Sequence, residues 1–166
     1  AEEVASIVEL SRAEGVLQDD LGLLSGAIEF SEETARGVMV PVPRLRTVPA
    51  DVTPEELELA VSRTGFSRFP VVDGEELIGY IHLKDGLHAE GPERAEPVPR
   101  WRVRALALVD PADEVEEALA VMQRSGAHLA RVVEDGATIG VVFLEDILEE
   151  LVGEVRDSMQ RRPVVE

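Results

Sequence analysis

Two stretches of this chain repeat each other: SRFPVVDGEELIGYIHLKDGL at residues 67–87 and HLARVVEDGATIGVVFLEDIL at residues 128–148. The match extends without gaps from residues 48–87 to residues 109–148, at a constant offset of 61 residues. Identical pairs include Gly65 with Gly126, Val71 with Val132, Gly79 with Gly140, Leu83 with Leu144, and Asp85 with Asp146. A constant offset indicates one supersecondary unit used twice. Because two copies are too few for a solenoid, we expect two halves that pack together, with any site in the cleft between them.

A helix is predicted early in each copy, after a short extended segment at residues 45–48 and 106–109. Pro54 and Pro111 each follow a good helix-capping residue and precede acidic residues, which is typical of a helix N-terminus. Glycine is the usual residue just past a helix end. The predicted helices therefore begin at Thr53-Pro54 and Asp110-Pro111 and end at Gly65 and Gly126.

A hairpin and a second helix are predicted to complete each copy. Asp-Gly pairs between β-rich segments favour tight turns, here Asp73-Gly74 and Asp135-Gly136. The predicted strands are residues 68–72 and 77–81 in the first copy, and residues 129–133 and 138–142 in the second. The closing helices begin at Leu83 and Leu144, and the second runs to Val155 with one apolar face. The expected fold class is α/β, or α+β by a stricter naming, with two tandem β-α-β-β-α repeats packed as one module.

The repeats divide the chain into residues 1–37, 38–96, 97–156 and 157–166. Val4, Ile7 and Val8 lie at helical spacing, so the first part is predicted to be a helical connector. The second and third parts hold one repeat each, joined by a linker at residues 90–99 that is rich in Pro, Gly and charge. The fourth part is a short tail. The chain starts at Ala1 rather than Met, which we interpret as a piece of a longer protein.

The composition narrows the function classes. A formal net charge of -18 over 166 residues argues against nucleic acid as a partner, because phosphate neutralisation needs a basic surface. The lack of cysteine excludes disulfides and thiolate metal sites, and the three histidines are too scattered to predict a metal site. No apolar run approaches the roughly 18 residues of a membrane span. With no P-loop and no Ser-His-Asp pattern, we do not expect an enzyme.

Four motifs carry a family resemblance: MVP at residues 39–41, SRFPV at 67–71, GYIHLKD at 79–85 and GVVFLEDILEELVGE at 140–154. With the tandem repeat, they make the chain similar to the paired cystathionine-β-synthase (CBS) domains of the CorC/hemolysin-C-like and cyclin-M-type transporter-associated proteins. The resemblance covers residues 14–155, which is nearly the whole chain.

The resemblance implies a regulatory CBS pair on the cytoplasmic face of the cell membrane, downstream of a transmembrane domain in a magnesium or cobalt transport or efflux protein. It implies a homodimer and an adenine nucleotide, ATP or AMP with Mg²⁺, in the cleft between the repeats. A module that binds no ligand and serves only dimerisation and coupling is the alternative. The closing helix at residues 144–155 also predicts a dimer, because its apolar face is larger than one small module needs.

The resemblance assigns six residues to the nucleotide: Ser67, Arg68, Phe69, Pro70, Phe143 and Asp146. Arg68 would pair with phosphate, and Asp146 would accept hydrogen bonds from ribose hydroxyls. A second cleft would contain His82 and Asp85. The other interpretation is that both aspartates satisfy free N–H groups in a first helical turn, and that Arg68 is a surface residue of an edge strand.

Two residues depart from the family pattern. Phe143 and Val40 stand where the family often has Thr, and each missing hydrogen bond would cost about 0.5–1.5 kcal/mol.

The run RWRVR at residues 100–104 is basic within an acidic chain. It either meets the acidic surface of a partner or folds Trp101 over the local core. The residues alone leave both interpretations open.

Overall fold

The computed structural model describes the backbone of residues 32–160 and the side chains of residues 32–153. Two short elements come first, α1 (Ala35–Val38) and β1 (Val40–Pro41). The first repeat contains β2 (Val48–Pro49), α2 (Pro54–Thr64), β3 (Arg68–Asp73) and β4 (Glu76–His82). The second contains β5 (Ala107–Val109), α3 (Val115–Ser125), β6 (Leu129–Glu134), β7 (Ala137–Phe143) and α4 (Leu144–Gln160). This order confirms the predicted mixed α/β fold, while the helix predicted before residue 32 lies outside the described residues.

Each repeat forms its own sheet, in the order β2-β3-β4 for the first and β1-β7-β6-β5 for the second. In both sheets the first strand of the repeat runs parallel to the next, and the hairpin that follows is antiparallel. Both hairpins shift register at the same place, between Val71 and Val72 and between Val132 and Val133. The repeat in sequence is therefore also a repeat in backbone geometry, including its bulge.

The segment before each repeat crosses to the sheet of the other repeat. Val40 pairs with β7, and Arg104 exchanges two backbone hydrogen bonds of 2.9 and 2.8 Å with Tyr80 of β4. A Cβ on Gly79 would lie 2.5 Å from the Arg104 carbonyl oxygen, and one on Gly140 would lie 2.7 Å from the Val40 carbonyl oxygen. Both copies have glycine here because the crossing backbone leaves no room for a side chain.

The predicted boundaries of α2 are confirmed. The Thr53 hydroxyl oxygen accepts a hydrogen bond from the Glu56 N–H at 3.1 Å, which caps the N-terminus. Gly65 and Gly126 end α2 and α3 with φ values of 75° and 73°. These left-handed values favour glycine because it has no Cβ.

The predicted start of α3 is wrong, since this helix begins at Val115 and not at Pro111. The Asp113 carboxylate accepts a hydrogen bond from the Asp110 N–H at 2.9 Å, and the Asp110 carboxylate accepts one from the Ala112 N–H at 2.9 Å. Two aspartates that bond nearby backbone groups hold this segment as a turn. Asp110 and Asp113, which predicted a helix start at Pro111, therefore form a turn, and the helix begins four residues later at Val115.

The hairpin turns lie at equivalent positions, Gly74-Glu75 and Asp135-Gly136. The second turn is as predicted. The first prediction is wrong by one residue, because Asp73 is the last residue of β3 and pairs with Glu76. The first turn position needs a positive φ, which is 66° at Gly74 and 52° at Asp135.

The predicted closing helix of the first repeat is also wrong. A single 3₁₀ turn (Leu83–Gly86) takes its place, whereas α4 is 17 residues long and continues past Val155. Gly86 lies against α2, where an added Cβ would be 3.3 Å from the Pro54 Cα. Gly91, with a φ of 58°, and Pro92 follow. Close packing and helix-breaking residues thus end this segment after one turn.

The core consists of two apolar clusters, one for each repeat. Ile147 and Leu151 of α4 are fully buried within the cluster of the second repeat. The apolar face that predicted a dimer is therefore largely used inside the chain, and among the described large apolar residues of α4 only Val152 is exposed. Val98 of the predicted linker is buried in the cluster of the first repeat.

Candidate functional site

A cavity of about 540 Å³ opens between the two repeats. Its wall combines the β1–β2 connection, the residues before and at the start of β3, and the junction of β7 with α4. Four of the residues assigned from the resemblance line it: Ser67, Arg68, Phe143 and Asp146. The fold thus brings together residues that are up to 79 positions apart in the sequence.

Arg68 is the arginine of the cavity wall that forms an ion pair with a described residue. Its side chain is 17% exposed, and its Nη1 donates to the Glu145 Oε1 at 2.8 Å. Its Nε is buried without a hydrogen-bond partner among the described residues. A buried guanidinium N–H without an acceptor is costly. An anionic ligand in the cavity is one way to satisfy it.

Ser67 is positioned by the backbone. The Leu83 N–H donates to the Ser67 carbonyl oxygen at 2.8 Å, and the equivalent bond joins the Leu144 N–H to the His128 carbonyl oxygen at 2.8 Å. Each closing turn is therefore tied to the start of its own hairpin. This bond holds the loop before β3 beside the end of β4.

Asp146 lies in the first turn of α4 and is half-buried. Burial raises the pKa of its carboxyl, and the nearby Glu149 and Glu145 carboxylates raise it further. A carboxylate in this setting gains from any hydrogen-bond donor or cation that approaches it. Phe143, the last residue of β7, is also half-buried in the same wall and offers only an apolar ring.

The structure leaves two assigned residues out of the cavity wall. Phe69 is 1% exposed and belongs to the core of the first repeat, where its ring meets the Phe66 ring edge to face at 6.4 Å. Pro70 is buried as well. The cavity therefore reaches only the start of β3, and the next two residues of the strand are buried inside the first repeat.

Sequence reasoning missed two arginines of the cavity wall. Arg44 and Arg46 both line it from the connection between β1 and β2, on either side of Leu45. Neither forms an ion pair with a residue that the structure describes. The available signal was the pair of arginines in PVPRLR, a basic segment within an acidic chain.

The second predicted cleft has a different character. Asp85 is 3% exposed; one carboxylate oxygen accepts from the His82 N–H at 2.7 Å and the other from the Arg104 Nη2 at 2.9 Å. The His82 Nδ1 accepts from the Lys84 N–H at 3.0 Å. Burial lowers the pKa of His82 to about 4, helped by the charges of Arg68, Lys84 and Arg104. This cleft is filled by the chain's own groups.

The basic run at residues 100–104 is a 3₁₀ turn followed by the crossing segment. Trp101 is 75% exposed, so the interpretation that it folds over the local core is wrong. The Arg102 guanidinium stacks on its ring at 4.4 Å from the centroid.

Within residues 32–160, no helix is both long and apolar enough to cross a membrane, and no three acidic or histidine side chains are grouped to hold a metal ion.

Curated relatives share nearly the whole chain. UPF0053 protein MT1890 of Mycobacterium tuberculosis (strain CDC 1551 / Oshkosh) is 32% identical over 161 residues, which cover 95% of this chain and 35% of that protein. UPF0053 protein YhdP of Bacillus subtilis (strain 168) is 28% identical over 163 residues, which cover 95% of this chain and 37% of that protein. The chain spans less than half the length of these relatives.

Solved structures share the fold. The CBS domain of the bacterial CNNM/CorC family Mg²⁺ transporter in complex with ATP is 28% identical with a TM-score of 0.68, covering 78% of this chain and 95% of that one. A hemolysin-like protein containing a CBS domain from Oenococcus oeni PSU is 25% identical with a TM-score of 0.67, covering 75% and 94%. The CBS domain family matches residues 35–91 and 103–153. The chain therefore belongs to the CBS domain family, as a tandem pair similar to those of CNNM/CorC transporters and hemolysin-like proteins.

Proposed function

We propose that this chain is the cytoplasmic regulatory CBS pair of a membrane-anchored magnesium or cobalt transport or efflux protein, and that it senses an adenine nucleotide in the cavity between its repeats. The observation that carries the nucleotide site is the buried Arg68 Nε, which lacks a described partner in a cavity that also contains Asp146. The similar CBS domain solved with ATP supports the ligand class, and its transporter supports the context.

Three arginines of the cavity wall favour an anion. The chain carries 34 acidic and 16 basic residues, yet Arg44, Arg46 and Arg68 line one cavity. Glu145, Asp146 and Glu149 line the same cavity and balance this charge, so phosphate binding depends on direct contact with the guanidinium groups. We place the phosphates against these guanidinium groups and Ser67, and the ribose hydroxyls against Asp146.

Two carboxylates of the cavity wall affect whether ATP binds with or without Mg²⁺. Glu145 and Glu149 line the same wall and would repel a bare triphosphate. Mg²⁺ binds phosphate oxygens and lowers their charge. We therefore expect ATP to bind better as its Mg²⁺ complex, whereas AMP, with less charge, depends less on the cation.

The alternative is a module that binds no ligand and couples two membrane-anchored subunits. Glu145 already pairs with Arg68 at 2.8 Å, so a phosphate has to compete with a carboxylate. Phe143 adds no hydrogen bond to the wall. These two features favour weak binding or none.

Isothermal titration with ATP, ADP and AMP, with and without Mg²⁺, distinguishes the two functions. We expect binding by the wild type and a loss of about tenfold in affinity for Asp146→Ala, the value of one charge-assisted hydrogen bond. Asp85→Ala is the matched control, because Asp85 is buried and paired with Arg104. Circular dichroism checks that both variants fold. No binding by the wild type at millimolar nucleotide supports the coupling module, and equal losses in both variants contradict the assigned site.

A further inference from the structure

The arginines of the basic run contact three different groups. Arg100 pairs with Asp73 at 3.3 Å, with both side chains more than half exposed. Arg102 stacks on the exposed Trp101. Arg104 alone reaches a buried group, since its Nη2 donates to the Asp85 Oδ1 at 2.9 Å. Surface pairs contribute little, whereas a buried carboxylate depends strongly on its partner.

The internal repeat shows what Arg104 changes. Asp85 and Asp146 occupy equivalent positions, yet Asp85 is 3% exposed and Asp146 is half-buried in an open cavity wall. The counterpart of Arg104 is Val40, which crosses beside Gly140 as Arg104 crosses beside Gly79 and has an uncharged side chain without a hydrogen-bond donor. The crossing residue therefore supplies no guanidinium to the Asp146 cleft, and Arg44 and Arg46, which line that cavity, form no ion pair with Asp146.

The backbone delivers Arg104 to its cleft in a fixed position. Its N–H and carbonyl group both bond to Tyr80 of β4, and Gly79 leaves the space for this close approach. Tyr80 is 2% exposed, and its hydroxyl oxygen accepts from the His128 N–H at 3.1 Å, just before β6. The contacts of Arg104 thus join the first repeat to the start of the second.

We propose that the cleft at Asp85 is a guanidinium-binding site that the chain fills with its own Arg104. Occupation from within has two consequences. It keeps external ligands out of this cleft, so that the cavity at Asp146 is the open one of the two. It also holds the crossing segment, and with it the start of the second repeat, against the sheet of the first.

Chemical rescue tests this assignment without any nucleotide. Arg104→Ala leaves the buried Asp85 carboxylate unpaired, and we expect its melting temperature to fall by roughly 6–20 °C. Guanidinium chloride far below denaturing concentrations should raise the melting temperature of Arg104→Ala by more than sodium chloride does at equal ionic strength, because sodium only screens charge. The two salts should act alike on the wild type and on Arg100→Ala, which removes an exposed arginine of the same run. A folded Arg104→Ala protein that guanidinium stabilises no more than sodium chloride does overturns the proposal.

A double-mutant cycle covers the case in which Arg104→Ala does not fold. Arg104→Lys keeps the charge but loses the planar donor fork, and Asp85→Asn keeps the shape but loses the charge. If the two groups bind each other, the double variant should lose less melting temperature than the sum of the two single losses. Additive losses contradict the proposal.

Discussion

At the level of single residues, Asp85 and Asp146 show how one residue in a repeated motif acquires two roles. The Asp85 carboxylate bonds the His82 N–H and Arg104 inside the protein. The Asp146 carboxylate lies in a cavity wall, and burial and two neighbouring glutamates raise its pKa. One aspartate is paired inside the protein, and the other lies in the wall of the cavity that we propose as the nucleotide site.

We expect Phe143 to limit the affinity of the proposed site. Replacing it by Thr adds a hydroxyl near the N-terminus of α4 and removes a ring from the cavity wall, so Phe143→Thr should bind ATP more tightly by about 1 kcal/mol. Because the side chain is half-buried, the variant should lose about 2 kcal/mol of stability, roughly half the cost for a fully buried Phe. Titration and a thermal melt measure the two effects.

Phe143→Ala is the control, since it removes the ring without adding a hydroxyl. A gain in affinity by both variants would assign the effect to lost bulk. No gain in a stably folded Phe143→Thr protein would favour the module that binds no ligand.

His82 should make the stability depend on pH. Its pKa is about 4 in the folded protein, below its ordinary value of 6.5. The unfolded chain therefore takes up a proton that the folded protein refuses, and stability falls as the pH is lowered from 7 towards 4. The contribution should be at most ~3 kcal/mol, from the size of the shift.

Urea denaturation across this pH range measures the effect. His82→Asn does not titrate and keeps an acceptor for the Lys84 N–H, so its stability should fall less steeply than that of the wild type. Parallel curves for the two proteins would show that His82 is not a protonation-sensitive group.

At the level of elements, the two repeats differ most where they close. The first ends in one 3₁₀ turn (Leu83–Gly86) packed against α2, and the second ends in the 17-residue α4. This difference makes the two clefts unequal, because the short turn buries Asp85 while α4 presents Asp146 from its first turn. The crossing segments add a second constraint, which falls on the glycines of β4 and β7.

Gly79→Ala should destabilise the protein by about 1–3 kcal/mol, the usual cost of overpacking a well-packed interior. The new Cβ would lie 2.5 Å from the Arg104 carbonyl oxygen, and backbone cannot move aside as a flexible side chain can. Thermal or urea unfolding measures the loss.

Gly153→Ala is the matched control, because this glycine lies within α4 and an added Cβ meets nothing within 4 Å. Alanine favours helix over glycine, so this variant should gain about 0.5–1 kcal/mol. A Gly79→Ala protein as stable as the wild type would contradict the crossing geometry.

At the level of the whole molecule, charge and exposed apolar surface act in opposite directions on association. A net charge of -18 makes two copies repel each other. Several large apolar side chains nevertheless face solvent, among them Leu59, Leu87 and Val152, exposed by 48%, 50% and 38%. The homodimer predicted from the sequence would bury such residues and would tolerate the charge better at high salt.

Light scattering should give twice the chain mass of 18.1 kDa. We expect the dimer to strengthen with added salt and Val152→Glu to shift it towards the monomer, because a charge on α4 would be buried at the interface. Leu108→Glu, on the exposed side of β5, is the control at another site. A monomer mass at roughly tens of micromolar protein in high salt would contradict the dimer.

The amino-acid sequence by itself determined the elements that depend on neighbouring residues. The constant offset identified the repeat, and the Asp-Gly pairs between β-rich segments identified the hairpin strands. Thr53 and Gly65 marked the ends of α2, because caps and left-handed backbone are local requirements. Local signals failed where two interpretations compete within a few residues, as at Asp110 and Asp113, which form a turn in place of a helix start.

Only the tertiary structure decided what each repeated residue does. The burial of Asp85 by Arg104, the membership of Arg44 and Arg46 in the cavity wall, and the orientation of Phe69 into the core follow from segments far apart in the chain. Gly79 and Gly140 are identical positions of the repeat in sequence. Only the crossing backbone beside each of them shows why a side chain does not fit there. Burial and side-chain contacts depend on how distant segments of the chain pack together, so a local sequence motif cannot specify them.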